Sequence, residues 1–451
     1  MSVTRRDFLQ AAFTAICLPA GLVQTVKAGS NKHVVLRFAA MSDVHFDKSN
    51  PPDAPQKVHL AKAIRMMNSY APLWEYPRFD ALVVAGDLSN HGAAEELYPF
   101  REILDREMKP ETVRVLCMGN HEHVEGSIAF FEETFSTKAN NHYVINGYHF
   151  ITIAPETGLC DEGQYLYIRD WFAEELQKAS EAAPDQPIFV VQHYNVANTI
   201  LGSDVPEEFH AGVKDLLGVI DRYPQVIHIS GHSHAPTVHP RSMWQGTFNA
   251  IGTGSMCYLW NYFEGAGRID YLEGGDDGQM GGTFLIFEVY DDQSVLIKLY
   301  DTISDSFLDR EYLLINPSDP ETYTYTDKRL DTATAPSWRD DARLAILETS
   351  ADSALVSVPA ARDDYDIIYY TLTIEKAEET ADQQDTSAGE APRVFRFWSD
   401  YYKKNPSAWY KVPIGNLASG TAYRVTAAAT NAFKKDTPTV LTAEFTTADK
   451  E

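Results

Sequence analysis

The sequence is short of basic residues. Its 451 residues carry 38 Lys and Arg against 64 Asp and Glu, for a net charge of −26. Such a surface repels phosphate backbones, and no run of Lys and Arg builds a local basic groove. Duplex nucleic acid is therefore excluded as a partner. A small anionic substrate would have to be drawn in by something locally positive, and bound metal ions would serve. Cysteine is equally scarce, with Cys117, Cys160 and Cys257 alone beyond the first 28 residues. An odd, sparse set is no disulfide framework, and Cys117, inside an apolar run, reads as a core residue. The apolar stretch at 11–23 is too short for a stable membrane span. What remains, 44% hydrophobic and 23% charged residues, is the composition of a globular protein with room for two or three domains.

The first 28 residues read as an address. "TRRDFLQAAFTAICLPAGLVQTVKAG" pairs Arg5 with Arg6, continues through the apolar stretch and ends on small residues at Val26, Lys27 and Ala28. It resembles a twin-arginine export signal cleaved after Ala28; the plainer reading is an amphipathic N-terminal helix. Removal of 1–28 would take the charge to −28, leave no membrane span and place the protein in the periplasm or outside the cell. "TAIC" around Cys17 is a poor lipoprotein box. The twin-arginine route carries folded proteins, which suits metal acquisition before export.

Strand-like runs at 34–40, 81–85, 113–117, 150–154, 188–192 and 226–230 alternate with helical patterns at 58–70, 93–108, 164–183 and 207–220. That alternation predicts an α/β core. Past residue 235 strands and turns take over, at 247–251, 283–290 and 294–300, as a sheet-rich half that packs against the first sheet. The polar, Pro- and Thr-containing stretch 316–336 reads as a linker. Beyond it, short alternating strands at 354–358, 367–374, 394–398, 422–427 and 440–445 predict an all-β sandwich over 337–449. "LASGTAYRVTAAATNAF" (417–433) resembles the penultimate-strand region of fibronectin type III domains, with Tyr423 as corner tyrosine. The polar stretch 378–392 reads as an insertion within that sandwich.

Several strands end in residues able to hold metal. The run 34–40 leads to "SDVHF" with Asp43 and His45, and 81–85 to "GDLSNHG" with Asp87. The run 113–117 leads to "GNHEH" with Asn120 and His121, 188–192 to His193, and 226–230 to "GHSH" with His232 and His234. Ligands of open α/β sheets gather beyond the carboxyl ends of the strands. The spacing of two in "DVH" and "HSH" would put both side chains on one side of an extended segment. Two metals about 3.5–4 Å apart can clamp the attacking and leaving oxygens of a displacement at phosphorus, and they need one carboxylate to bridge them. Imidazoles and an amide limit the negative charge and favour Mn, Fe, Zn or Ni over Mg or Ca.

The ordered set "DVH…GD…GNHE…H…GHSH" resembles the calcineurin-like metallophosphoesterase superfamily over residues 34–315. The resemblance implies a metallophosphoesterase β-sandwich flanked by helices in α-β-β-α layers, followed at 337–449 by the all-β fibronectin type III-like sandwich. It also implies two divalent or trivalent transition-metal ions, one held by Asp43, His45, Asp87 and His234, the other by Asp87, Asn120, His193 and His232. A hydroxide between the ions would be the nucleophile. His121 would donate a proton or hydrogen bond to the phosphate or leaving oxygen, and Glu122 would orient its ring. The substrate would be a small or cell-envelope phosphoester, a diester favoured over a monoester.

Taken singly, His193 or His45 reads as a core histidine; the ordered set reverses that. His91 and His123 flank the motifs, and substrate or supporting contact is the lesser reading for them against a structural one; His59, His142, His149, His210, His228 and His239 read as structural. "MCYLWNYFEG" (256–265) concentrates aromatic residues that either wall the substrate pocket or pack between domains. A different class of function is a surface binding or adhesion protein, its sandwich gripping glycan or protein and its metal domain a silent scaffold. The intact Asp87, Asn120 and His121 argue against silence.

Overall fold

The computed structural model describes residues 32–159, 163–204, 213–262, 268–271, 281–377 and 391–450. The export signal, Cys160, His210, the start of the helix expected at 207–220 and residues 378–390 of the polar insertion lie outside them. No described helix is long and apolar enough to cross a membrane.

The first domain alternates as its hydrophobic pattern predicts. It runs β1 (Val34–Met41), α1 (Pro55–Tyr70), β2 (Ala81–Ala85), α2 (Ala94–Glu107), β3 (Val113–Cys117), α3 (Ile128–Phe135), β4 (Asn141–Ile145), β5 (Tyr148–Ile153), α4 (Arg169–Ala182), β6 (Ile188–Gln192), α5 (Leu217–Ile220) and β7 (Val226–Ser230). The strands β2, β6 and β7 are mainly apolar and buried along their whole length, the signature of parallel strands covered on both faces. Helix α1 opens on Pro55, whose missing N–H costs nothing at that position. Ser127 caps α3 by accepting the Phe130 N–H.

Strands β8 (Met243–Gln245), β9 (Asn249–Gly252), β10 (Trp260–Tyr262), β11 (Arg268–Tyr271), β12 (Thr283–Tyr290), β13 (Val295–Asp301) and β14 (Ser306–Leu314) follow. β10 and β11 pair in a two-stranded sheet of their own, and the others do not form the separate sheet against the first that the pattern suggested. One six-stranded sheet has the order β14-β13-β12-β1-β2-β3, the other β4-β5-β6-β7-β9-β8. The α/β strands are thus shared between two sheets, and β8, β9, β12, β13 and β14 complete them. The decisive pairing, Val34 with Tyr290, spans most of the domain, and local periodicity carries no trace of it. Between the sheets Phe38 stacks on Phe287 at 4.5 Å and meets Phe150 and Phe189 edge-on at 5.1 and 4.8 Å. α1, α2 and α3 cover the outer face of the first sheet, α4 and α5 that of the second. The α-β-β-α layers are as expected.

After α6 (Lys328–Thr332) come β15 (Ala345–Thr349), β16 (Ala354–Pro359), β17 (Ile367–Lys376), β18 (Arg393–Trp398), β19 (Trp409–Ile414), β20 (Ala422–Asn431) and β21 (Leu441–Thr446). They form sheets β15-β16-β19 and β18-β17-β20-β21, a three-on-four all-β sandwich of the fibronectin type III kind. Tyr423 behaves as a corner tyrosine, its hydroxyl accepting the Ala418 N–H at 2.9 Å.

The segment 316–336, polar in composition, is packed rather than free. Tyr323 donates to the Pro317 carbonyl at 2.7 Å. Arg329 donates to the Pro240 and Met243 carbonyls at 2.8 Å each, and Tyr325 and Leu330 lie against the inter-sheet core. Its polar tips cap backbone oxygens while its rings and stems cover apolar surface. From the sandwich, Ile368, Tyr401, Ala432 and Phe433 join the same core, and Arg310 pairs with Asp366 at 2.7 Å.

Candidate metal centre

Asp43 and His45 follow β1, Asp87 follows β2, Asn120 and His121 follow β3, His193 follows β6, and His232 and His234 follow β7. β1, β2 and β3 belong to one sheet and β6 and β7 to the other, so the site straddles the carboxyl edges of both. The loops are stitched together by backbone bonds, among them Asp43 N–H to Gly86, Val44 N–H to Asp87 and Gly231 N–H to His193.

The extended geometry expected for "DVH" and "HSH" is absent. Asp43, His45, Asp87, His232 and His234 have φ of 52°, 52°, 50°, 65° and 51°, left-handed conformations that non-glycine residues avoid. Each costs about 1–3 kcal/mol and persists where surrounding structure imposes it. Alternate left-handed residues still turn both donors of each motif to one place. Glycine is required beside them: a Cβ on Gly119 would collide with the Asp87 carboxylate, and one on Gly231 with that of Asp43.

The donor atoms form overlapping groups. Asp43, His45 and His234 gather on one side, Asp87, His193 and His232 on the other, and Asp87 also groups with His45 and His121, each group lying within 4.8 Å. His234 Nε2 is 3.1 Å from Asp43 Oδ1, and His193 Nε2 is 3.1 Å from Asp87 Oδ2. Asp87 Oδ2 is 3.8 Å from His45 Nε2. Asn120 Oδ1 lies 3.1 Å from His193 Nε2. All seven residues expected as ligands therefore converge.

The chemistry of the donors fits cations. His45, His193 and His234 direct Nδ1 at Asn90 Oδ1, the Ala85 carbonyl and the Tyr258 carbonyl, at 2.9, 2.8 and 2.8 Å. An oxygen acceptor there fixes the Nδ1–H tautomer and leaves the Nε2 lone pair facing inward. His45 Nε2 and His234 Nε2 then face each other at 3.2 Å, an arrangement of two lone pairs that a cation between them relieves. The electrostatics agree. Burial works against charge on His193, yet Asp87 and Asp43 raise it to about 9. Burial would raise Asp87, but His193 and His121 outweigh it and hold the carboxyl well below its ordinary range. His45, more isolated from carboxylates, is pushed down to about 3 by burial.

His121 borders this set. Its Nδ1–H donates to the Asn90 carbonyl at 2.8 Å, its Nε2 is 3.9 Å from Asp87 Oδ2, and its side chain is 35% exposed. Burial lowers it, but the Asp87 charge and the Asn90 carbonyl prevail and its pKa is raised.

Glu122 does not orient His121, as was expected. Its buried carboxylate accepts the N–H groups of Asp87, Ser89 and Gly119 at 3.1, 3.0 and 2.8 Å, fastening the β2 and β3 loops to each other. Burial and then the Asp87 charge raise it to about 7. The orienting residue is Asn90, which the sequence reading passed over. Its carbonyl holds His121, its Oδ1 holds His45, and its Nδ2 donates to Asp47 Oδ2 at 2.9 Å. Its place inside "GDLSNHG" was the available signal. His91 is engaged by Glu96 at 2.7 Å and His123 by the Pro155 carbonyl at 3.0 Å.

Residues 36–236 match the family model described as calcineurin-like phosphoesterase. That stretch is a calcineurin-like phosphoesterase domain, as its motifs suggested. For that stretch the family implies phosphoric ester hydrolysis and divalent metal ions. A curated relative, UPF0046 protein K07C11.7 of Caenorhabditis elegans, is 25% identical over 175 residues, covering 35% of this chain. The chain spans 57% of that relative's length. Among solved structures, one described as "Myokine structure" is 17% identical, covers 26% of this chain and 99% of its own, and gives a TM-score of 0.18. The third fibronectin III domain of human KIAA0343 protein is 14% identical, covers 26% of this chain and 85% of its own, with a TM-score of 0.20.

Proposed function

We propose that the protein is an exported phosphodiesterase that works with two transition-metal ions, Mn, Fe, Zn or Ni. The observation that carries this reading is the pair of donor groups meeting at Asp87. Asp43, His45, Asp87 and His234 would hold one ion, and Asp87, Asn120, His193 and His232 the other. When bound, the ions would supply positive charge for the phosphate and lower the pKa of an attacking water. The chain's own part is positional. Asn90 points His121 Nε2 toward the reacting phosphate, and as the P–O ester bond breaks the imidazole hands its proton to the departing alcohol oxygen. Glu122 keeps the β2 and β3 loops in register.

Preference for a diester is supported by what surrounds the site. Among the described residues, the charged neighbours that act most strongly on Asp43, His45, Asp87 and His121 are histidines and carboxylates. That set is better matched to a diester monoanion than to a monoester dianion, which calls more for a guanidinium or ammonium clamp. Export rests on the paired Arg5 and Arg6 and on the acidic mature chain. The division into 34–315, 316–336 and 337–449 is part of the same reading.

Rates on bis(nitrophenyl) phosphate and nitrophenyl phosphate after reconstitution with each metal test it. Faster turnover of the diester is expected. Turnover of the monoester alone would reverse the preference, and turnover of neither ester by metal-loaded protein would refute the reading.

A further inference from the structure

The aromatic tract after the last metal motif does two things at once. Tyr258 stacks on His234 at 4.3 Å and on His45 at 5.4 Å, and Trp260 stacks on the same His234 at 4.7 Å. Backbone bonds reinforce this: the Tyr258 carbonyl accepts from His234 Nδ1 at 2.8 Å, and the Trp260 N–H donates to the His234 carbonyl at 2.9 Å. Tyr258 is half-buried, with its ring against the metal donors His45 and His234. Between these two rings the chain turns Leu259 the other way. Leu259 is buried, and the side chains packed on it are Trp398 and Tyr402 of the C-terminal sandwich.

The sandwich is braced to keep those two residues in place. Tyr369 meets Trp398 edge-on at 5.8 Å, and Tyr401, next to Tyr402, is buried against His239 of the first domain at 5.9 Å. Packing of Leu259 fixes the backbone on either side of it and so contributes to the position of the adjoining Tyr258 ring.

We propose that the C-terminal sandwich is part of the active-site wall. Trp398 and Tyr402 clamp Leu259, hold the Tyr258 face in place beside His45 and His234, and so determine which ester alcohols are accepted, favouring flat aromatic groups that lie on that ring. The proposal rests on the phosphodiesterase reading for its substrate, but its structural core can be tested without turnover. Trp398 and Tyr402 are positioning residues, acting on the site through Leu259.

The experiment uses the full chain carrying Trp398→Ala with Tyr402→Ala, Leu259→Ala as the same contact broken from the other side, and Trp398→Phe as the conservative variant. Site-resolved alkylation compares Cys257, partly exposed and next to Tyr258, with the fully buried Cys117. In the double variant and in Leu259→Ala, Cys257 is expected to react several-fold faster while Cys117 stays inert and metal content is unchanged. KM for bis(nitrophenyl) phosphate should rise about tenfold, the scale of one lost apolar contact in a pocket. KM for methyl nitrophenyl phosphate, whose group left on phosphorus after loss of nitrophenolate is a methyl with no ring to lie on Tyr258, and both kcat values should stay within about twofold. Trp398→Phe should behave as the unaltered chain. Unchanged Cys257 reactivity overturns the clamp. Reaction of Cys117 as well, or loss of metal and kcat together, shows a merely structural support and also overturns it. Should the unaltered chain turn over neither diester, the alkylation result alone decides the clamp and the substrate reading alone has failed.

Discussion

The metal-bearing loops and the C-terminal sandwich handle their backbones in opposite ways. In the sandwich, β17 and β20 alternate buried with partly or fully exposed residues along most of their length. The left-handed residues there, Asp366, Asn416, Gly420 and Lys434, sit outside the strands or, for Lys434, in a turn. In the first domain, five of the seven expected metal ligands are themselves left-handed, and most are buried among other polar groups. A sandwich strand needs only its period to fold. The loops are held by a scaffold of packed sheets that tolerates strain where donors must converge. The two regions meet at Leu259, where the regular part bears on the strained one.

That contrast can be broken, most severely at its centre. Asp87→Ala is expected to abolish turnover and to lose metal with it, because one carboxylate serves both donor groups; retained metal with lost turnover would remove Asp87 from the shared position. His121→Ala is next: turnover should fall about 10²–10⁴-fold with metal content kept, and the loss should shrink for nitrophenolate leaving groups, which depart without a proton. His121 also lies within reach of the His45 and Asp87 donors, so loss of metal in this variant would make it a ligand. Asn90→Ala should cost about 10–100-fold with a partial loss of metal affinity, since its side chain orients His45 but its backbone carbonyl, which remains, orients His121. A loss as large as that of His121→Ala would mean that the side chain does more than the bonds described.

The smallest effect lies behind the site. His228 is buried on β7 with neither ring nitrogen bonded, and burial lowers it to about 3. An unfolded histidine gains its proton as pH falls through about 6.5, whereas the folded one resists until about 3, so its contribution is present above 6.5 and lost as pH falls toward 3. The slope is at most about 1.4 kcal/mol per pH unit. His228→Leu should flatten the acid side of a urea-midpoint profile; an unchanged profile would show that other groups govern it.

How far the sequence could be read follows from the same contrast. The five strand ends were legible because buried parallel strands leave mainly apolar runs, each closed by an ordered metal motif. The sandwich was legible through its alternation and Tyr423, although β15 and β19 were missed: β15 is largely exposed, and β19 opens on the exposed Trp409. The left-handed turns of "DVH" and "HSH" were not legible, since spacing two residues apart suits an extended segment equally well. Neither was the role of Asn90, whose carbonyl matters as much as its side chain, nor the anchoring of Glu122 to three backbone N–H groups instead of the adjacent ring. The packing of 316–336 was hidden by its polar composition, because Tyr323 and Arg329 bury their bodies and spend their polar tips on carbonyls. The tract at 256–265 was read as pocket wall or inter-domain contact, and Tyr258 and Leu259 divide those two tasks between adjacent residues.

The most direct measurement is the metal content of the folded full-length chain after reconstitution and removal of loosely bound ions. Two donor groups that share Asp87 should retain about two transition-metal ions per chain. A well-folded chain that retains one ion, or none, would contradict the shared centre from which the proposed chemistry follows.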